Sequence, residues 1–273
     1  MKLSDRSDQS APAATVTRPA PTGSGAQTLE RGLDMLEHIV GQRTRMPDLI
    51  RQSGLSKTTT WRLVQALADR RFVSISAMGE VHAGPKLLQL GARAQEQTDL
   101  LMIARRHLDD LAAETGHSAF LGRRDGDFSV HLHRSAGNER VAVTTTPGTR
   151  RRLADTSLGK ALLLDANAAE LEAALRATQS DRDVAEWVAE MQRTAAQGHV
   201  LNVGPPPDHI HAIAAPVRDV SGRIVAAISI AGAGIYLGPD RMRELAPAVK
   251  ATAEAISRAL GWTATVPESG TLG

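Results

Sequence analysis

Cysteine is absent from all 273 residues of the sequence. Without thiols the chain has no disulfide bonds, no cysteine-ligated zinc or iron–sulfur site and no cysteine nucleophile. This absence excludes a disulfide-stapled secreted scaffold and is typical of a reducing compartment. We therefore expect a cytoplasmic protein.

Aromatic residues and long apolar runs are also scarce. Only 3% of the residues are aromatic, whereas 42% are apolar and 23% are charged, which is ordinary globular composition with a core of mostly aliphatic side chains. The longest apolar stretch, residues 224–237, is interrupted by Gly232 and Gly234 and is shorter than the roughly 20 residues that a membrane-spanning helix needs. We expect a globular protein without membrane association.

The net charge of +2 is distributed unevenly along the chain. Residues 1–26 are rich in Ser, Ala, Pro, Thr and Gly and are predicted to form a disordered tail. Residues 263–273 are predicted to form a flexible tail. Residues 27–95 hold 10 basic and 6 acidic side chains, whereas residues 96–273 hold 19 basic and 22 acidic ones. A basic segment beside a mildly acidic one is typical of a nucleic-acid-binding module joined to a sensing or oligomerising module.

Helical periodicity predicts three short helices in the basic segment. The first carries an apolar stripe of Leu29, Leu33, Leu36 and Val40. It has Thr28 as its N-cap and stops at Gly41. The second helix begins at Pro47 and stops at Gly54. The third has Ser56 as its N-cap and runs from Lys57 to about Arg70. The second and third helices are separated by a three-residue turn, which is the helix-turn-helix pattern.

A β-hairpin is predicted directly after the third helix, from strands at 72–75 and 81–83 around a turn at Gly79. A winged helix-turn-helix places its third helix in the major groove, where short hydroxyls, basic side chains and helix N-terminal amides contact bases and phosphates. The predicted DNA-binding residues are Ser56, Lys57, Thr58, Thr59, Trp61 and Arg62. The alternative is a three-helix bundle with a solvated basic face, but the order of the elements and the hairpin favour DNA binding.

The remainder of the chain alternates between strand and helix patterns. Residues 95–115 are predicted to form a continuous helix that ends at Gly116, within a linker of helices at 89–116. Strands are predicted at 117–124, 128–135, 141–146, 210–218 and 224–231, and helices at 157–164, 168–177, 183–197 and 239–260. Adjacent hairpins in this order predict an α+β domain around an antiparallel sheet.

Five runs of sequence resemble the IclR-type transcriptional regulators. They are QTLERGLDMLE from Gln27, SGLSKTTTWRLV from Ser53, GPKLLQLG from Gly84, LADTSLGKA from Leu153 and IAAPVRDVSGRIVAAISI from Ile213. The resemblance covers residues 27–262 in the family's order. It implies a winged helix-turn-helix at 27–88 and a GAF-like effector-binding and oligomerisation domain at about 103–262.

The resemblance also implies a pocket between the sheet and the segment from Ser157 to Ala161. The effector-binding residues it implies are Thr156, Ser157, Leu158, Gly159, Ala212 and Ser229, with a small organic acid as the effector. Relatives often carry an acidic stretch and a cysteine near this pocket, and this chain has residues 202–209 and Ala212 instead. The sequence therefore leaves the identity and the existence of the effector open.

Three other patterns suggest different chemistry. Ser157 and Lys160 match the Ser-x-x-Lys pattern of serine hydrolases, but the companion motifs are absent and helix capping is the favoured interpretation. Two pairs, His131 with His133 and His209 with His211, would each place two imidazoles on one strand face. No carboxylate at ligand spacing supports a metal, and exposed or effector-facing histidines are the favoured interpretation. The run Arg150–Arg152 is interpreted as a solvated loop, from which one arginine could reach the pocket.

We therefore expect a non-enzymatic DNA-binding transcription regulator without metal or cofactor. Its partners would be a pseudo-palindromic double-stranded operator, a second copy of the chain in a homodimer or tetramer, and a small effector that shifts operator affinity. The alternatives are a regulator without a small-molecule ligand and a hydrolase dependent on Ser157 and Lys160. The sequence does not distinguish a repressor from an activator.

Overall fold

The computed structural model describes residues 24–178, 180–205 and 209–264. The chain divides into two compact units between Gln97 and Thr98, each with its own hydrophobic core. Most of the two predicted tails, residues 1–23 and 265–273, lies outside the described residues. Within the described ranges, no helix is long and apolar enough to cross a membrane.

The N-terminal unit is a winged helix-turn-helix, as predicted. Its elements are α1 (Ser24–Gly41), β1 (Thr44–Arg45), α2 (Met46–Ser53), α3 (Lys57–Asp69), β2 (Val73–Ile75), β3 (Glu80–Ala83) and α4 (Pro85–Gln97). The three strands form an antiparallel sheet in the order β1-β3-β2. The hairpin of β2 and β3 is the predicted wing, and the short β1 strand was not predicted.

The core of this unit differs from the predicted apolar stripe. The buried residues of α1 are Met35 and Ile39, which pack with Leu49 of α2 and Val64 of α3. The stripe residues are mostly outside this core: Leu29 is 64%, Leu33 49% and Val40 53% exposed. The predicted N-cap at Thr28 was also wrong, because α1 begins at Ser24 and includes the last three residues of the predicted tail.

The C-terminal unit is an α+β domain around one antiparallel sheet. Its elements are α5 (Leu100–Thr115), β4 (Ser118–Asp125), β5 (Phe128–Ser135), β6 (Arg150–Arg152), a 3₁₀ turn (Leu153–Asp155), α6 (Ser157–Leu162), α7 (Ala168–Arg176), α8 (Val184–Gln197), β7 (Val200–Asn202), β8 (Ile210–Arg218), β9 (Ile224–Ala233) and α9 (Pro239–Ala259). The strand order is β6-β5-β4-β9-β8-β7. The fold class predicted from the sequence is thus confirmed.

Helices cover both faces of this sheet. On one face α5 and α9 pack through Leu108 and Val249 against Ile228 of β9. On the other face α6, α7 and α8 pack around Trp187 and Leu158, against Ala227 of β9. Because alternate residues of a strand point to opposite faces, β9 is buried on both sides and its run is almost entirely apolar.

Two predicted elements of this region were wrong. The predicted continuous helix at 95–115 is interrupted at Thr98 and Asp99, where the Asp99 carboxylate accepts hydrogen bonds from the backbone of Leu101 and Met102 and starts α5 anew. The predicted strand at 141–146 is irregular, because residues 148–152 pair with β5 in its place.

Candidate DNA interface and effector cavity

The N-terminus of α3 is held by the predicted cap. The Ser56 hydroxyl accepts a hydrogen bond from the Thr59 amide at 3.2 Å, and α2 ends at Gly54 in the left-handed conformation. Thr60 is fully buried and donates its hydroxyl to the Ser56 carbonyl at 3.2 Å. These contacts fix the turn between α2 and α3 and the direction in which α3 presents its outer face.

Most of the predicted DNA-binding side chains are exposed on that outer face. Lys57, Thr58 and Arg62 are exposed, and Trp61 is 50% exposed. Within the described part of the chain, neither Lys57 nor Arg62 forms an ion pair. Their charges are thus available for phosphates or base edges.

Thr59 differs from the other members of the predicted set. It is half-buried, and its hydroxyl lies 2.9 Å from the Ser56 hydroxyl. These two hydroxyls satisfy each other at the cap, so they are less available to DNA than the sequence suggested.

A cavity of about 310 Å³ lies between the sheet and the start of α6 in the C-terminal unit. It is lined by Phe120, His131, Val143, Thr145, Arg151, Asp155, Thr156, Ser157, Leu158, Asn202, Gly204, Pro205, Ile210, Ala212, Ser229 and Ala231. This volume suits a small organic molecule.

The sheet forms the floor of this cavity through neighbouring strands. Asn202 of β7 pairs with Ala212 of β8, which pairs with Ala231 of β9, and Ser229 of β9 lies opposite Phe120 of β4. Ala212 and Ser229 were implied by the family resemblance, whereas Asn202 and Phe120 were not. A sequence pattern finds such residues only when the strand register is known.

The segment before α6 forms the opposite wall. The Thr156 hydroxyl accepts a hydrogen bond from the Gly159 amide at 3.0 Å and caps the helix, so that Ser157 and Leu158 face the cavity. Gly159 does not line it. A Cβ there would lie 2.1 Å from the Leu153 carbonyl oxygen, so this glycine permits the close packing of α6 on the preceding 3₁₀ turn.

His131 lines the cavity, although it is not among the six effector-binding residues that the resemblance implies. It is 8% exposed and its ring meets Phe120 edge-on, with 5.5 Å between the ring centroids. Burial, reinforced by the Arg151 guanidinium, lowers the pKa of His131. Its Nδ1 atom is buried without a hydrogen-bond partner among the described residues. The lowered pKa favours the neutral imidazole, and its Nδ1 atom has unused hydrogen-bonding capacity in the cavity.

The two histidine pairs do not share strand faces as the sequence suggested. A register shift opposite Leu121 and Gly122 of β4 turns His131 towards the cavity, whereas His133 contacts Ser135, which donates to Asp109 of α5 on the opposite face. His209 precedes β8 and has a φ of 42°. Among the described residues, no cluster of three or more His, Cys, Asp or Glu side chains is arranged for a metal ion.

The triple-arginine run forms the edge strand β6 and not a loop. The guanidinium groups of Arg150 and Arg152 lie 4.6 Å and 4.4 Å from the centre of the Phe128 ring. Arg151 alternates to the other face of the strand and lines the cavity. Because side chains alternate along a strand, Arg150 and Arg152 pack on Phe128 whereas Arg151 faces the cavity.

Lys160 does not contact Ser157 in the way that the hydrolase alternative needs. Its ammonium donates to the Asn202 side-chain oxygen at 2.7 Å, and no hydrogen bond joins it to the Ser157 hydroxyl among the described residues. A serine nucleophile requires a hydrogen-bonded base. Within the described residues, this pair lacks the contact on which the hydrolase alternative depends.

Comparison with known proteins supports the two-part organisation. The family description "IclR helix-turn-helix domain" matches residues 28–74, and "Bacterial transcriptional regulator IclR C-terminal" matches residues 92–258. The chain is similar to the HTH-type transcriptional regulator BhcR of Paracoccus denitrificans (strain Pd 1222), with 28% identity over 87% of this chain and 88% of that protein. The chain is also similar to the HTH-type transcriptional repressor AllR of Escherichia coli (strain K12), with 28% identity over 87% of this chain and 91% of that protein.

The fold is also that of a solved structure, Pseudomonas aeruginosa HmgR, with a TM-score of 0.76 and 22% identity over 88% of this chain and 100% of that one. A winged helix-turn-helix joined to an α+β domain with a cavity defines a two-domain transcriptional regulator. The chain belongs to the IclR family of DNA-binding transcriptional regulators.

Proposed function

We propose that this protein binds operator DNA through α3 as a homodimer, and that a small organic acid in the cavity of the C-terminal unit changes its DNA affinity. The observation that carries the DNA part is the exposed outer face of α3, where Lys57 and Arg62 have no ion-pair partner among the described residues. Because the target is chromosomal DNA, the protein acts in the cytoplasm.

The ligand part is supported by the composition of the cavity. Its lining includes the polar residues Ser157, Ser229, Asn202 and His131, the charged residues Arg151 and Asp155, and the apolar residues Phe120 and Leu158. Ser157 and Ser229 are buried, and the Nδ1 atom of His131 is buried without a hydrogen-bond partner among the described residues. Buried polar groups without partners favour a ligand that satisfies them.

The dimer is supported by the stripe on α1, where Leu29, Leu33 and Val40 are exposed and Leu36 is half-buried against the core. Leu29, Leu33, Leu36 and Val40 follow one another at intervals of four, three and four residues, which is the spacing of a two-helix coiled-coil seam. A second copy of α1 would cover this stripe. Two copies related by a two-fold axis would place two α3 helices on a pseudo-palindromic operator.

DNA contact is tested by an Arg62→Ala variant in a mobility shift on the DNA upstream of its own gene, at fixed salt. Loss of a base or phosphate contact is expected to weaken binding by about tenfold to a hundredfold. Arg93→Ala removes the same charge from α4 and is the control, with an effect of at most a few fold. Equal affinity of the Arg62→Ala variant and the wild type would contradict the proposed interface.

Ligand binding is tested by thermal shift with a panel of small organic acids. An Ala212→Leu variant fills part of the cavity and is expected to lose the shift while it still retards DNA. If no acid shifts the wild type and DNA binding is intact, the regulator without a ligand is the better description.

A further inference from the structure

The side chain of Asn202 connects the effector cavity to a lysine behind its wall. Asn202 lines the cavity, whereas Lys160 of α6 does not. The Lys160 ammonium donates to Asn202 Oδ1 at 2.7 Å. Because an ammonium only donates hydrogen bonds, this contact decides which end of the amide is its oxygen.

The orientation of the amide determines what Asn202 offers to a ligand. Because Oδ1 accepts the hydrogen bond from Lys160, the Nδ2 group is the end of the amide that remains available to a ligand. It has no hydrogen-bond partner among the described residues. An amide nitrogen donates and does not accept. At this edge of the sheet the cavity therefore presents a hydrogen-bond donor backed by a positive charge.

The charges around Lys160 are few and partly neutralise one another. Burial lowers the pKa of Lys160, Arg182 lowers it further, and Glu190 and Asp155 oppose that shift. Glu190 of α8 is itself paired with Arg182. Asn202 is the only hydrogen-bond partner of the Lys160 ammonium in the described ranges. A charge-assisted hydrogen bond of this kind is stronger and better oriented than a neutral one.

We propose that Lys160 is a positioning residue that fixes Asn202 as a donor, so that the effector cavity selects ligands with an anionic oxygen facing Asn202. The inference rests on the effector cavity of the proposed function and assigns its selectivity to a pair of residues. Arg151, which also lines the cavity, adds a second positive group. Asp155 is the acidic residue of the same lining, so the selection acts locally at Asn202. A cationic ligand end facing Asn202 would meet a donor backed by the Lys160 ammonium and would be disfavoured there.

A purely structural role for Lys160 would tie α6 to β7 without affecting which ligand binds. The two roles differ in one measurable quantity, the ratio of affinities for an anionic and a cationic probe of equal shape. Acetate and acetamidinium are such a pair, and both are small enough for the cavity.

The test is a titration of the full chain with acetate or acetamidinium, followed by NMR at the Asn202 side-chain amide at constant ionic strength. The Asn202→Asp variant identifies the amide signal by its loss. Acetate is expected to shift this signal saturably in the wild type, with at least tenfold higher affinity than acetamidinium. A wild-type amide that acetate leaves unshifted, or that both probes shift equally, would overturn the proposal.

Two variants separate positioning from packing. Lys160→Met is expected to lower the ratio of acetate affinity to acetamidinium affinity at least tenfold. Both affinities of this variant are measured by NMR at the Asn202 side-chain amide. Lys250→Met removes an equal charge from α9, where Lys250 donates to the Gln197 carbonyl, and should leave the ratio unchanged. A Lys160→Met ratio within twofold of the wild-type ratio would show that Lys160 is only structural.

The Asn202→Asp variant keeps the proposal testable if Lys160→Met does not fold. A carboxylate at this position accepts hydrogen bonds towards the cavity, so acetamidinium should now bind more tightly than acetate in a calorimetric titration. An unchanged preference for acetate would overturn the inference. A mobility shift on the same samples tests DNA binding separately, so that failure of the ligand selectivity is distinguishable from failure of the proposed function.

Discussion

Single residues determine how closely the elements of the C-terminal unit approach each other. Gly159 is the clearest case, since a Cβ at this position would lie 2.1 Å from the Leu153 carbonyl oxygen and 2.6 Å from its Cα. Both atoms belong to backbone, which cannot rotate away as a side chain would. The identity of this residue is set by packing and not by contact with a ligand.

A Gly159→Ala variant is therefore expected to be destabilised by about 1–3 kcal/mol, the typical cost of forcing extra volume into a packed core. Denaturant unfolding of the C-terminal unit measures the change. Gly32→Ala in α1 is the control, because nothing lies within 4 Å of a Cβ there and alanine favours helix. A Gly159→Ala variant as stable as the wild type would show that the 3₁₀ turn yields easily.

His131 makes stability depend on pH. Its pKa in the folded state is below the ordinary 6.5, chiefly because of burial. Below about pH 6.5 the unfolded chain therefore binds more protons than the folded chain, and the free energy of unfolding falls as the pH is lowered until the folded-state pKa is passed. Denaturant titrations at pH 7.5 and pH 5.5 measure this loss.

A His131→Gln variant is expected to lose less stability than the wild type between those two pH values. His82→Gln, at an exposed position of the wing, should retain the wild-type dependence. Identical pH dependence of the His131→Gln variant and the wild type would contradict a buried neutral imidazole.

At the scale of elements, α1 shows how an apolar pattern and a core can diverge. The core residues Met35 and Ile39 are adjacent to the stripe of Leu29, Leu33 and Val40, and both sets have helical periodicity. A sequence pattern reports that a helix has apolar residues on a face, but not whether that face packs inside the chain or against a partner.

A Leu33→Glu variant is expected to dissociate the proposed dimer, because charges on facing helices would repel at the seam. Sedimentation equilibrium over a range of concentrations measures the change. Leu88→Glu in α4, where the leucine is 79% exposed, is the control and should retain the wild-type association. A wild-type protein that is monomeric at all concentrations would remove the proposed role of the stripe.

Short strands were the elements that the sequence failed to predict. β6 and β7 have three residues each and β1 has two, so that periodicity has too few positions to be recognised. The strand predicted at 141–146 was wrong for a different reason. Its β-branched residues favour a strand, but β5 pairs with residues 148–152 in its place. Longer elements such as β8, β9 and α9 agreed with the sequence within two residues.

At the scale of the whole molecule, the division between Gln97 and Thr98 separates the core of the N-terminal unit from the two cores of the C-terminal unit. The N-terminal core has seven buried apolar residues, whereas the two cores of the C-terminal unit are far larger. Small cores stabilise a fold only marginally. We therefore expect the N-terminal unit to be the less stable of the two.

A fragment of residues 98–264 is expected to fold alone, with cooperative unfolding and the far-ultraviolet circular dichroism of an α+β domain. In the full chain, denaturant should unfold residues 24–97 before this domain. A fragment without a cooperative transition would show that the C-terminal unit depends on the rest of the chain.

The sequence by itself determined the family, the fold class, the helix-turn-helix and the ends of β8, β9 and α9 within two residues, because periodicity, caps and family motifs are local in the chain. Ser56 and Gly54 are such local signals. The cavity depended on tertiary structure, since Asn202, Ala212, Ser229 and Phe120 become neighbours only through strand register. The same is true of His131, which a single register shift turns into the cavity, and of Lys160, whose partner lies 42 residues along the chain.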